Sequence, residues 1–578
     1  MKKKVISLLL TAVVTASLLA GCGGAADTSS AAPAASDATT EAAAPAADEA
    51  APAADTAEAA APAEVKDFTM FITMPGSEKN DDNEVMQMIA DKWGVRVKET
   101  WLTGQTASEA TGTLIASGEY PDYIDSDEMQ MLVDADALIP LDDYIDQYPE
   151  FKETWFTPEE WDKFRLDDGH IYWINPFGNT YGESKQTTHN DEAFWIQTRV
   201  LEWAGYPEIK TLDQYFQVIE DYMAANPDFD GVANIPYTIL CEDWRYFCIE
   251  NAGQFLAGYP NDGSVIVNKE TMTIEDYNTS DDTIAYFKKL NEEYQKGMID
   301  PESFTQTYDE YIAKLSTGAV LGMCDQWWDF AYTVNDVFKQ QGLDLKGCNY
   351  VCLGLTTEEG MDNRWHTYDD TVNQASGIAI TTSCEDPDAA FKFIVDCAMD
   401  QELHDLRFWG VEGVDYTVDA DGLYTRSDEQ IMTCADTSYQ ASHLCDYSYF
   451  PQWSGTSRDG KNAMSPTEQP SLFMKDMAEP LKKCFDAYGV TTYPELIGSV
   501  VESNGAWFPM YSYSNNFTTE TPGGTAWAKM GEVKHEWLPK VVMASDFEAG
   551  WAEYMEHYNA CKPEDFLAEM QAILDGFK

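Results

Sequence analysis

The stretch Leu114 to Ile145 constrains the fold more than any other part of this chain. Leu114–Ser117 closes a helix that Gly118 stops, because a residue without a Cβ turns there at no steric cost. Tyr120-Pro121 favours extended backbone, since the proline ring disfavours the α region at the residue before it. Tyr123 and Ile124 then read as a short buried strand, and Asp125-Ser126-Asp127 marks the loop where it ends. Met129, Leu132 and Val133 return with helical spacing, followed by Leu138-Ile139-Pro140-Leu141. Helix, strand, loop and helix in so few residues make an α/β unit. In open α/β sheets ligands sit beyond the carboxyl ends of strands, which makes Asp125 and Asp127 candidate ligand contacts.

A chain of 578 residues exceeds one hydrophobic core, so two or more lobes are expected. Charge narrows the partners. The 36 Lys and Arg stand against 100 Asp and Glu, a formal charge of −64, which repels phosphate backbones and argues against nucleic acid. Neutral and cationic ligands remain open, and most of the acids read as a solubilising surface.

Met1 to Cys22 reads as a targeting segment. Lys2, Lys3 and Lys4 precede the apolar run Val5–Ala20, which is short for a bilayer span. Leu19-Ala20-Gly21-Cys22 resembles a bacterial lipoprotein cleavage box, implying a signal peptide over 1–21 and lipid attachment to Cys22. Ala25–Glu64 uses only Ala, Asp, Thr, Ser, Pro and Glu and cannot build a core, so 22–66 reads as a disordered, lipidated tether. Folded structure is expected from Asp67, with Phe68–Met74 as the first strand. Further on, Thr211 and Gln214 form a capping box and Thr283–Gly297 reads as a helix. Gly377–Ile380 reads as a strand, Asp386-Pro387 as a helix start, and a last amphipathic helix begins at Pro563.

Several of these blocks together resemble the extracellular solute-binding proteins of family 1, the ligand-capturing subunits of bacterial ABC importers. They are Ser117-Gly118, Pro121-Asp122-Tyr123 and Ile139-Pro140-Leu141-Asp142; Asp168-Gly169-His170-Ile171-Tyr172, with His170 for the usual Lys; Gly297-Met298-Ile299-Asp300-Pro301; and Gly410-Val411-Glu412-Gly413-Val414-Asp415-Tyr416. Thr425–Ser545 is the least recognisable part. The resemblance implies an α/β, two-lobe periplasmic-binding-protein-like fold with a hinge and an interlobe cleft. Lobe one is placed at 67–180 plus 372–415 and lobe two at 181–371 plus 416–578, with crossings near 176–190, 357–375 and 415. It also implies capture of a carbohydrate, an oligosaccharide above all, and delivery to an ABC permease. The protein is then a monomer, lipid-anchored on the extracytoplasmic face of the membrane, with no catalytic residue and no required cofactor.

Sugar sites need flat aromatic rings against C–H faces, with carboxylates and amides around them for hydroxyls. Trp327 and Trp328 follow the apolar run Ala319–Met323 and top a strand, so one of the pair is placed in the cleft, the alternative being that both are core. Trp173, Trp195, Trp244, Trp365, Trp409 and Trp453 are further candidates, each with a core alternative. Glu412 and Tyr416 are candidate polar contacts. Many relatives carry an EF-hand-like calcium loop where this chain has Asn226 to Pro236. Asn226, Asp228, Asp230, the Val232 carbonyl and Asn234 remain as ligands, but the first acid has become Asn and no Glu follows before Pro236, so the loop is degenerate for calcium. Its alternative is a turn shaped by Gly and Asx residues.

Enzyme signatures are thin. Gly455 to Lys461 has Walker spacing, but Asn462 replaces the Mg²⁺-binding hydroxyl and no apolar strand precedes it. Paired carboxylates of a glycan-cleaving enzyme are not readable from sequence. That enzyme, a structural adhesin, and the same fold holding a peptide or amino-sugar are the rival readings. The 12 Cys lack tight spacing; beyond Cys22 they read mostly as buried thiols, although Cys241/Cys248 and Cys348/Cys352 are close enough in sequence to pair.

Overall fold

The computed structural model describes residues 65–166, 168–260, 263–367, 372–500 and 504–577. The expected signal peptide at 1–21, the lipid site Cys22 and nearly all of the tether lie outside the described residues. None of the described helices is long and apolar enough to cross a membrane.

Eight strands carry the two lobes: β1 Lys66–Ile72, β2 Val95–Trp101, β3 Tyr123–Asp125, β4 Trp173–Ile174, β5 Glu192–Gln197, β6 Gly322–Gln326, β7 Tyr350–Leu353 and β8 Ile378–Ile380. The first sheet runs β2-β1-β3-β8-β4, with β1, β2 and β3 parallel and β8 antiparallel to both its neighbours. The second is antiparallel, β6-β5-β7. All six residues of β5 are buried, as a Phe-Trp-Ile run covered on both faces should be. Single parallel bridges add residues 235–237 beside Val320 and Ile299.

Local chemistry sets the element ends. Helix Ala107–Ser117 ends at Gly118 with φ 67°, a conformation that costs nothing without a Cβ. Thr211 caps Leu212–Ala225 in a capping box with Gln214, and Asp386 caps Pro387–Met399 by accepting from the Ala389 N–H. The strand expected over Ala319–Met323 is displaced to Gly322–Gln326, because Asp325 is paired and buried inside the second lobe rather than solvated. The described cysteines are free thiols.

Burial divides the chain into two main cores. One holds Phe68, Met70, Tyr123, Trp173, Ile378–Ile380 and Phe391; the other takes residues between Ala193 and Trp365 and returns at Met477 through Leu574. The expected boundary at 415 is corrected here. Cys445, Tyr447, Phe450, Trp453 and Met464 pack into the first core. Arg407 explains this: buried, its guanidinium donates to the carbonyls of Asp446, Tyr447, Phe450 and Pro451, and Trp453–Gly455 pairs in parallel with Asn179–Tyr181. The chain therefore crosses between cores at 174–193, at 365–372 and at 464–477, and of the second crossing 368–371 lie outside the described residues. The first and third crossings touch, since the Thr187 hydroxyl donates to the Thr467 carbonyl at 2.6 Å.

Glu99 on β2 points inward and is buried, with Oε1 unpartnered. Desolvation first, and the Asp446 carboxylate second, push its pKa from 4.5 up to about 8. The folded state thus holds this proton more tightly than the unfolded chain, and stability is lost as pH rises between those two values. Glu99→Gln is expected to unfold like the wild type at pH 4 and to be more stable at pH 8. The gain should accumulate at about 1.4 kcal/mol per pH unit, read by urea denaturation at both pH values.

Candidate functional site

The register of the first sheet aligns Ile72, Trp101 and Asp125 at the carboxyl ends of three parallel strands. The loop leaving β1 lies flat on the Trp101 indole: a Cβ at Gly76 would stand 2.1 Å from that ring, so only glycine fits. Tyr449 meets Trp101 edge-on at 5.6 Å, and Phe177 meets Tyr449 at 5.3 Å, giving this lobe an aromatic wall. Asp125 is buried with Oδ2 unpartnered. Desolvation and then the Asp127 charge hold its carboxyl well above the usual range. Asp127 keeps an exposed surface, yet the recess around it also raises its carboxyl by desolvation, opposed by the Arg245 guanidinium and reinforced by Asp243. Those two groups belong to the second lobe, so the strand-end acids face it across the gap. A direct link exists: the Ala107 N–H donates to the Asp243 carboxylate at 3.4 Å.

The second lobe presents the ends of two parallel runs. One is the Ile235–Leu240 segment, leading into Asp243-Trp244-Arg245; the other is β6, leading into the helix Trp327–Gln341. Trp244 and Trp328 stack with ring centroids 5.7 Å apart and planes 13° from parallel, both half-buried. The Trp328 indole N–H donates to the Gln326 side chain, while the Trp244 Nε1 has no protein partner. Beneath them Arg245 pairs with Asp329 at 2.8 Å, with 4% and 1% of the side chains exposed. Its guanidinium lies 4.4 Å from the Trp244 ring centre and 4.0 Å from that of Tyr308, whose hydroxyl donates to the Asp329 carbonyl. Desolvation raises the Asp329 carboxyl and Arg245 opposes that rise. A stacked aromatic surface over a fixed cation, opposite a row of carboxyls, suits a polyhydroxylated ligand with apolar C–H faces.

The structure thus brings Asp125, Asp127, Trp244 and Trp328 to one gap. It places the other expected contacts elsewhere. Trp327 turns into the second core against Trp195 at 5.3 Å and Tyr493 at 5.0 Å. Trp173, Trp195, Trp365 and Trp453 are buried, and their indole N–H groups are spent on the backbone carbonyls of Gln374, Asp325, Leu355 and Ala398. Trp409 and Tyr416 form a small separate cluster with Leu472, and Glu412 is exposed on the loop beside it. Asp415 folds that loop on itself by accepting from the Val411 N–H and the Tyr439 hydroxyl. Sequence reasoning missed Trp101, Asp243, Arg245, Tyr308 and Tyr449. The strand-end logic applied to Trp327-Trp328 holds equally for Ile235–Leu240 and finds Asp243 and Arg245; Tyr449 sits in the stretch without a recognisable motif.

The expected calcium loop is a tight hairpin, Asp228–Phe229 against Val232–Ala233. Two of its five oxygen ligands are committed to protein cations: Asp230 to the Lys346 ammonium at 2.6 Å, and Asn234 Oδ1 to the Arg199 guanidinium at 3.0 Å. The Asn234 amide donates to the Asn226 carbonyl, and the Asn226 amide to Tyr222.

Comparison with solved structures gives the fold: the chain has the two-lobe fold seen in solute-binding proteins. FusA of Streptococcus pneumoniae, solved in complex with kestose, superposes with a TM-score of 0.60 at 17% identity over 89% of this chain and 99% of that one. The alginate-binding protein AlgQ2, solved without calcium ion, gives 0.60 at 17% identity over 89% and 98%. In sequence, the chain is related to the fructooligosaccharide ABC transporter substrate-binding protein FusA of S. pneumoniae serotype 4, at 29% identity over 264 residues. The match covers 42% of this chain and 47% of that relative, so it spans about half the relative's length. FusA has also been solved as an EF-hand mutant with fructo-nystose bound, at 18% identity and a TM-score of 0.57 over 89% of this chain and 99% of that one. No family model matches the sequence.

The neighbouring tryptophans should separate cleanly. Trp327→Ala is expected to cost about 3–5 kcal/mol in urea unfolding, as a truncated core aromatic does, and Trp328→Ala less than half of that.

Proposed function

We propose that this protein is the substrate-binding component of a bacterial ABC importer, capturing an oligosaccharide between its lobes and handing it to a membrane permease. The observation that carries the reading is the Trp244–Trp328 stack facing Asp125 and Asp127 across the gap. Rings supply area of fixed geometry for sugar faces, and carboxyls accept from hydroxyls. A ligand touching both walls binds the closed form better than the open one, and that difference in affinity drives closure. The relation to FusA supports the sugar class. Leu19 to Cys22 supports anchoring by lipid on the outer face of the membrane, which keeps the protein beside its permease. Capture needs no bond-making step, so the ligand is expected back uncut.

Asp125, Asp127, Glu128 and Asp243 crowd the recess, and the carboxyls of the first three are raised, each chiefly by desolvation. Neutral sugars fit this setting, uronate oligomers do not, and an amino-sugar or cationic peptide is the second reading the same acids favour. A ligand that binds only the native form raises stability as RT ln(1 + [L]/Kd). Neutral oligosaccharides such as kestose are expected to raise the unfolding midpoint with concentration, and uronate oligomers to leave it in place. Trp244→Ala and Trp328→Ala should each abolish the rise while Trp365→Phe keeps it. A full shift in both alanine variants, or cleaved sugar in the recovered ligand, would sink the proposal.

We read the 226–234 hairpin as closed by Arg199 and Lys346 in place of an ion. A calcium site filled to 100 times its Kd would add about 2.7 kcal/mol. Millimolar calcium, or its removal with a chelator, is instead expected to leave the unfolding midpoint and the sugar affinity unchanged.

A further inference from the structure

Where the chain first crosses between lobes it carries His189 and Asp191, and the second crossing carries His366. We propose that these three side chains form a binding site for a divalent transition-metal ion at the hinge, built from none of the residues assigned to the sugar cleft or to the 226–234 loop. Their ligand atoms all lie within 4.8 Å of one another. The tautomer of His189 is set by its neighbour: its Nε2 meets the Glu192 carbonyl at 2.9 Å, and a carbonyl only accepts, so Nε2 carries the proton. Its Nδ1 is therefore a lone pair. In the metal-free protein that lone pair accepts from the Nδ1–H of His366 at 2.9 Å; a bound ion takes the place of this proton, which leaves to solvent or shifts to the His366 Nε2. The outward N–H bond to a backbone carbonyl is the support that metal-ligating histidines use to fix ring orientation.

Two nitrogens at this spacing subtend an angle of about 90° at an ion about 2.1 Å from each, the cis angle of octahedral and square sites. Asp191 supplies the anionic ligand. Its Oδ2 is 4.0 Å from the His366 Nδ1, and its side chain is 44% exposed, which leaves an entry path and room for water on the ion. The Asp191 backbone is held, because its carbonyl accepts the Trp327 N–H at 3.3 Å and β5 begins at the next residue. Both imidazoles are buried in the fold. Two nitrogens and one carboxylate favour zinc, nickel or cobalt over calcium, which prefers oxygen alone. The negative field of the chain concentrates cations at its surface. A bound ion joins two crossings that the backbone leaves separate.

Cobalt is the probe, because its visible absorption reports ligand geometry. The full chain, stripped with a chelator and titrated with Co²⁺ alone, is expected to retain stoichiometric metal through dialysis and to develop visible d–d bands. Asp191→Asn and His366→Gln should each weaken binding about tenfold or more. Urea unfolding checks that both variants fold, and the half-exposed Asp191 makes its variant the safer of the two. Wild-type protein that retains no cobalt would overturn the proposal and leave a hydrogen-bonded imidazole pair. Equal retention in wild type and both variants would overturn it as well, placing the metal on other groups such as the thiols.

Discussion

The cleft rests on the Arg245–Asp329 ion pair. A guanidinium and a carboxylate this deeply buried gain little net stability, because desolvation offsets most of their attraction. What they fix is position. Tyr308 and Trp244 both lie against the guanidinium, Asp329 sits one residue after Trp328, and so the two stacked indoles are referenced to a single charge. Removing one partner strands the other in a dry interior at a cost of about 3–5 kcal/mol, so the pair is hard to lose once acquired. From the first lobe the same cation is felt at Asp127, whose carboxyl it holds down against desolvation.

Much of the scaffold was legible along the chain, because short-range chemistry determines it. Gly118, Thr211 with Gln214 and Asp386-Pro387 mark real element ends, and the Leu114–Ile145 unit folds as read. The site was legible only in part. The rule that ligands gather at carboxyl ends of strands points to Asp125, Asp127 and Trp328, which the structure brings to the gap, while Trp244 stood only among the further tryptophan candidates. Six of the tryptophan candidates, each read with a core alternative, are core, since an indole is equally suited to packing and the sequence does not tell which face of a strand or helix it leaves from. Trp327 and Trp328 are adjacent in sequence yet turn opposite ways, one into Tyr493 and one onto Trp244.

The third crossing was illegible for a different reason. Arg407 reaches four carbonyls some 40 residues further along the chain, and nothing local at 446–451 announces that a distant guanidinium will claim them. Likewise the 226–234 hairpin keeps its Asx pattern, while the cations on its oxygens come from Lys346 and Arg199, outside the hairpin in sequence. Both are long-range charge-to-dipole or charge-to-charge contacts, which a pattern of neighbours cannot encode.

The three crossings are laced side by side. Thr187 on the first bonds to Thr467 on the third, and His189 on the first meets His366 on the second. A body on one tether tumbles freely; a body on three adjacent tethers turns about the line they share. The lobes are therefore mounted like a door on a piano hinge, able to swing but poorly able to twist or slide. Each swing returns the same indole face to the same row of acids, so the geometry of the gap is set by the mounting before any ligand arrives.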